Sequence, residues 1–457
     1  MKTKHKLHIY LFLFFLLPLS ILAQQHEKDS LFGIWLDTTL TSHQRLDAFN
    51  KVLKTDEIRL NTDNIDTLYS EVYKAIALAK NTGKGHLTPK FLNFATTYQI
   101  YEMDSLELGC ETAEKTMDKA LEHKDYFIIM MISRQLLNKR CLEANSKYSE
   151  ASVINILDTI KKQLSSDIEL LEYNKILAVY HTQRLNFHEA LTAHRKVVEF
   201  HKNLDTISTT MSYSLQIMGI VHMRSGNYSE AYTYMKQSIS INKTLKNTLS
   251  LGSNYVDITN VSIGLENYDE AFHYNDTAIA VLKEQANCED PFYITLTQKA
   301  RILSLQNFHQ EALELLFEYE DYYNKPNMPS ILNYSFYYVV FATVYFGLKN
   351  YSKAITSAKK SLEYTKYSKG SSYLANEKIN YKILYQSWEK LGNYANSLKA
   401  YKNYVEAKDS MAMLFNSQKV TSLELENIFQ KERYTDSLNV AKKMLANELE
   451  FQQKLKK

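Results

Sequence analysis

Along most of this chain apolar residues recur three and four positions apart, the spacing that lines one face of a helix. Leu46, Phe49, Val52 and Leu53 share such a face and predict a short helix over Ser42 to Leu53. Leu68, Val72, Ile76 and Leu78 predict another, which Asn81 to Gly85 breaks. Phe91 to Tyr101 and Ser105 to His123 follow as two more. Pro291, Pro326 and Pro329 are expected in loops between helices, where a helix must stop. From Ser397 to Lys457 neither proline nor glycine occurs, which predicts one very long helix. Its first part carries Leu398, Tyr401 and Tyr404 for packing. Beyond Met413 the apolar residues thin to Val420, Leu423, Ile428, Tyr434, Leu438, Leu445, Leu449 and Leu455. That is a weak heptad, readable as a solvated charged helix or as a coiled-coil stalk that pairs two chains.

The middle of the chain repeats itself. A turn aromatic falls at Tyr148, Phe187, Tyr228, Tyr268, Phe308, Tyr351 and Tyr394, at intervals of 39, 41, 40, 40, 43 and 43 residues. Alanine stands three places later at Ala151, Ala190, Ala231, Ala271 and Ala354. After Phe308 it comes one place late, at Ala312, and after Tyr394 the position holds Ser397. Nine places before three of the aromatics lie Ala178, Gly219 and Ala342. Antiparallel helices approach closely only where facing positions are small, so each period reads as a helical hairpin, with the aromatic filling the gap beside its turn. Glycine marks that turn at Gly226 and, displaced by one residue, at Gly392.

These blocks (Lys147-Tyr-Ser-Glu-Ala151, Asn186-Phe-His-Glu-Ala190, Gly226-Asn-Tyr-Ser-Glu-Ala231, Glu266-Asn-Tyr-Asp-Glu-Ala271 and Asn350-Tyr-Ser-Lys-Ala354) resemble tetratricopeptide repeats. The likeness covers Arg134 to about Ser410, with degenerate copies from Thr67 to Lys124. It implies an all-α solenoid over residues 67–410, after an N-terminal segment over 24–66, with a charged helix over 411–457. The family unit is shorter than the intervals found here, so helices or loops are extended.

Scarce glycine (11) and proline (5) agree with an all-helical chain. A net charge of +3, with no basic block past the N-terminus, excludes nucleic acid as an expected partner. Residues 1–23 have Lys2, Lys4 and Lys6, then an apolar run from Ile9 to Leu22 and a cleavage-like Ala23. They read as a signal peptide, so the mature chain is expected in the periplasm. Cys110, Cys141 and Cys288 are an odd set without metal spacing, and all three are read as small buried residues.

No catalytic motif appears, so a non-enzyme without cofactor or metal is expected. His181, His188, His194 and His201 cluster within one hairpin but read as packing and surface residues. Asp followed by Ser or Thr recurs at Asp29, Asp37, Asp66, Asp104, Asp158, Asp205, Asp276, Asp409 and Asp436, a pattern similar to an O-glycosylation signal of exported Bacteroidetes proteins and equally suited to capping helices.

In a solenoid of this family the first helices line the concave face. By register they would present Tyr213, Gln216, Ile220 and Met223, then Ser253, Val256, Asn260 and Ile263, then Phe336, Val339, Thr343 and Phe346. This groove is expected to take a protein or peptide. Family members that clamp a C-terminal carboxylate use Lys and Asn at set positions. Here Lys175 is followed by Val179, so that clamp is not expected. An exported array ending in Lys408-Asp409-Ser410 and a charged helix also resembles the sensor region of Bacteroidetes signalling proteins, whose kinase, cyclase or helix-turn-helix output domains lie beyond a membrane segment. The resemblance implies a sensory scaffold lacking its output, with membrane association only if the chain continues past Lys457. The alternative is a free periplasmic assembly or binding scaffold.

Overall fold

The hairpin turns repeat one backbone conformation. In a computed structural model of the chain, a single residue turns left-handed after each of five first helices: Gly226 (φ 78°), Glu266 (59°), Asn307 (68°), Lys349 (60°) and Gly392 (72°). The amide of the next residue then reaches back to the last turn of its helix, as in Asn227 N–H to the His222 carbonyl (2.9 Å) and Asn350 N–H to that of Tyr345 (2.9 Å). This is the 6→1 bond that closes a helix C-terminus. Asn then opens the second helix in most copies, and the Asn267, Asn350 and Asn393 side chains each accept from a backbone amide three residues on.

The structure describes residues 29–56, 65–103, 105–137, 141, 147–184, 186–285, 289–323, 331–365 and 371–413. The signal segment, Cys288, Asp104, Asp436, Pro326, Pro329 and everything from Leu414 lie outside them. Among the described residues every regular element is helical, and no helix is long and apolar enough to cross a membrane.

Two compact units divide at Ile176 and Leu177, inside the helix Asp167–Gln183. The first holds a helix over 29–36, then Ser42–Asp56, Ile65–Asn81, Thr88–Tyr101, Leu106–Glu122, Tyr126–Leu136 and Glu150–Lys161. Its core gathers Trp35, Phe49, Val72 and Phe91. The Trp35 indole donates to Glu71 (3.1 Å), and the Arg45 guanidinium lies 5.0 Å from the Trp35 ring.

One expectation fails here. Cys110 and Cys141 are not free thiols but a disulfide, with Cα atoms 5.5 Å apart. Both are buried as expected, Cys110 at 3% and Cys141 at 1% exposure.

The second unit stacks Thr209–Arg224 with Tyr228–Thr244, Thr248–Gly264 with Tyr268–Lys283, and Glu289–Leu305 with His309–Glu318 and the short Glu320–Tyr323. Ile331–Gly347 with Tyr351–Thr365 and Ser371–Lys390 with a helix over 394–413 follow, and Phe187–Asn203 precedes them all. Within hairpins the small residues work as the pattern predicts. A methyl group on Gly219 would stand 3.2 Å from the Ala231 carbonyl and 2.9 Å from Met235 Cε.

The turn aromatic behaves differently. Tyr228 does not merely fill its own hairpin. Its ring seats on Gly264 of the next hairpin, where an added Cβ would overlap it. His309 meets Gly347 in the same way, and Phe187 lies 6.0 Å from the Arg224 guanidinium. The wedge is therefore between hairpins.

His309, not Phe308, is the equivalent of Tyr228. The left-handed residue lies two places before it, at Asn307. Buried Ala300 lies nine before and Ala312 three after, both in register. Phe308 caps the helix and is 50% exposed. The same count puts Gly226 and Gly392 at one position, with no displacement. Pro291 is not in a loop but in the first turn of Glu289–Leu305, where a missing N–H leaves no bond unmade.

Buried polar clasps join three helices at a time. Ser212 and Ser238 exchange hydrogen bonds across one hairpin (2.9 Å between hydroxyls), and Asn254 of the next hairpin donates to Ser238 (3.2 Å). Ser335 and Ser361 repeat this at 3.2 Å, with Asn376 and Asn380 donating to them at 3.1 and 2.7 Å.

Candidate functional site

The face shared by the first helices of the second unit carries a row of amide side chains. Gln216 donates to Asp257 (2.7 Å) and to Ser253 (3.2 Å) one hairpin on. Gln298 of the following hairpin donates to Asn260 (2.7 Å), whose own amide reaches the Val256 carbonyl (3.3 Å). Each link joins one hairpin to its neighbour, so the row runs across three repeats.

Around this row Ile220, Met223, Val256 and Ile263 are half-buried. Ile220, Met223 and Val256 also pack on the core between Tyr228–Thr244 and its neighbours. Tyr213 is 44% exposed, with its ring 6.0 Å from that of His194. Gln216 is itself buried, its amide held by the bonds above. Further along, Phe336 is half-buried. Val339 sits in the core, the Thr343 hydroxyl is turned to the Val339 carbonyl (2.8 Å), and Phe346 packs edge-on to Tyr351 at 5.8 Å.

Three charged groups on this face were not anticipated. Asp257 is one turn beyond Ser253 on the same helix face. Burial pushes its carboxyl up to about 6, against the Gln216 hydrogen bond and the Arg224 charge, which pull it down. Burial lowers the Arg224 guanidinium, which Asp257 partly offsets. Arg301, three residues after Gln298, is also lowered by burial, which Tyr228 and Tyr268 partly offset. Gln298 and Arg301 lie in a hairpin for which the sequence reading named no groove positions.

The hairpin histidines are occupied otherwise. His194 is 1% exposed between Thr182 (Nε2, 3.0 Å) and Ser214 (Nδ1, 3.1 Å). The Thr182 proton goes to the Ala178 carbonyl (2.7 Å), so Nε2 carries the hydrogen and Nδ1 accepts from Ser214. His201 bonds Thr206 and Ser208. No group of three side chains able to hold a metal forms among the described residues. Of the Asp-Ser/Thr sites, Asp37 caps Thr39 (2.9 Å to its amide), Asp66 and Asp158 accept from Tyr98 and Tyr173, and Asp276 pairs with Lys299 (2.7 Å).

No family model and no curated protein matches the chain. Solved structures do. The apo form of RapI superposes with a TM-score of 0.51 at 12% identity, over 63% of this chain and 99% of its own. A signal-transduction ATPase with a tetratricopeptide repeat sensor from Pyrococcus horikoshii gives 0.49 at 13%, over 86% and 65%. NprR in complex with its cognate peptide NprX gives 0.44 at 14%, over 75% and 98%. The fold is all-α and tetratricopeptide-like.

Proposed function

We propose that the chain is an exported binding scaffold whose first-helix face takes an extended segment of a peptide or partner protein. The observation that carries this reading is the amide row Gln216, Asn260 and Gln298, one side chain per hairpin. Packed helices stand about 8–10 Å apart. An extended strand rises about 3.3 Å per residue, so roughly three residues span each hairpin. The half-buried Ile220, Met223, Val256 and Ile263 lie on the same hairpins at that interval and would take the side chains of such a segment, on a face that the linked amides make continuous from one hairpin to the next. Export rests on residues 1–23. The Cys110–Cys141 disulfide supports it, since such bonds persist in oxidising compartments.

The test is selection from a displayed library of random peptides on the mature chain. Competition by the selected peptides is then measured on Asn260→Ala and Met223→Glu, each checked for an unchanged circular dichroism spectrum. The reading expects at least tenfold weaker binding in both. Peptides whose affinity ignores both changes would sink it.

A sensory role in membrane signalling rests on the resemblance at Lys408-Asp409-Ser410 and on the weak heptad from Val420 to Leu455. It expects a dimer in sedimentation equilibrium that becomes a monomer when residues 414–457 are deleted. The same mass with and without them would leave the free scaffold as the better account.

A further inference from the structure

On the face proposed above, and resting on that reading, we infer that the ligand presents a carboxylate next to a backbone N–H, which Arg301 and Gln298 receive together. The two residues are three apart on the helix Glu289–Leu305 and so share a side of it. Gln298 is 2% exposed. Its amide nitrogen is used by Asn260 at 2.7 Å, while its carbonyl oxygen has no hydrogen-bond partner. Turning the amide over would set oxygen against the Asn260 oxygen, so the free acceptor is not an artefact of orientation. A buried acceptor without a donor is destabilising by itself and is relieved by an incoming N–H.

Arg301 supplies the complementary half. It is part-buried, and no carboxylate among the described residues pairs with it. The side chains whose charge acts on it are Tyr228 and Tyr268, neither a carboxylate. One hairpin earlier the face is balanced, with Asp257 answering Arg224. At Arg301 one positive charge is left over. A guanidinium in a partly desolvated site favours a planar oxyanion that it can grip with two N–H groups.

The pair distinguishes between anions. A phosphate or sulfate meets the cation but brings no N–H for Gln298. An aspartate or glutamate in an extended peptide, or a peptide's last residue, brings both within one residue. Peptide chemistry with an acidic position is therefore the class that satisfies both groups.

The experiment pans a displayed library of random heptapeptides against the full mature chain, Arg301→Gln, Arg301→Glu and Arg301→Lys, each first shown to keep the wild-type melting transition. Wild type is expected to enrich Asp or Glu at one position about fivefold over the starting library. Arg301→Lys keeps a weaker enrichment, Arg301→Gln loses it while still selecting peptides, and Arg301→Glu selects Lys or Arg instead. Peptides selected by wild type without acidic enrichment overturn this inference and leave the binding face standing. No peptides selected by any form overturns both.

Discussion

The ring of Tyr228 stands where a side chain on Gly264 would have to begin. The two residues belong to successive hairpins, and neither can change without regard to the other. Gly264→Ala is expected to destabilise the chain by about 1–3 kcal/mol, as overpacking does. In a Tyr228→Ala background the same change should cost far less, because the ring it strikes is gone. Urea denaturation of the two single variants and the double variant measures the coupling. Additive effects would mean that the ring does not occupy the notch.

The turns make an independent prediction. Glu266 and Lys349 hold left-handed conformations that glycine adopts freely and side chains resist. Glu266→Gly and Lys349→Gly should each stabilise by about 1 kcal/mol, while Gly226→Ala should destabilise by a similar amount. Thermal melts of the three variants decide it, and a fall in melting temperature for both glycine variants would refute the turn geometry.

Two buried groups give opposite pH slopes. Burial lowers His194 to about 4, below its unfolded value. Its contribution is therefore complete above about pH 6.5 and disappears as pH falls through 4, up to about 3 kcal/mol in all. Asp257 is raised to about 6. Its contribution is complete below about pH 4 and is lost as pH rises through 6. His194→Gln should remove a rise of stability with pH between about 4 and 6.5, and Asp257→Asn a fall between about 4 and 6. A profile unchanged in either variant would contradict the burial of that group.

The disulfide closes a loop with a sequence separation of 31. By chain entropy it should stabilise the first unit by about 3–4 kcal/mol. Cys141→Ser, or mild reductant, should lower the first unfolding transition and leave the second in place. Thiol titration of the denatured, unreduced chain should find one reactive group. Three would falsify the pairing.

Much of the repeat was legible because small and aromatic residues recur at nearly fixed distances. Gly219 facing Ala231 follows from that spacing alone. Phe308 misled because an aromatic next to a histidine looks like the wedge, and only the backbone turn at Asn307 shows that His309 takes the place. Glu266 and Lys349 were unreadable as left-handed residues because nothing in their chemistry asks for that conformation. The clasps left a signal that was overlooked: Ser212 to Ser238 and Ser335 to Ser361 are both separations of 26. On the first-helix face, the periodicity located the half-buried aliphatic positions Ile220, Val256 and Ile263. It could not separate Val339, which is core, from Phe336, which is not, because both fall on one side of the helix. Asp257 and Arg301 lay beyond it, since charge on a helix face looks the same in sequence whether solvated or enclosed.

The two serine clasps have a mechanical consequence. Hydrogen bonds constrain direction as well as distance, so a seam held by them resists shear, whereas hydrocarbon contacts slide at little cost. The clasped seams lie at Ser212–Ser238–Asn254 and at Ser335–Ser361–Asn380, and Asn260, Gln298 and Arg301 fall in the stretch between. The hairpins between them are bridged as well, by Gln298 to Asn260 and by the buried Asn275 amide to the Thr295 carbonyl (3.1 Å), so directional bonds cross one seam after another and oppose the sliding of one hairpin on the next.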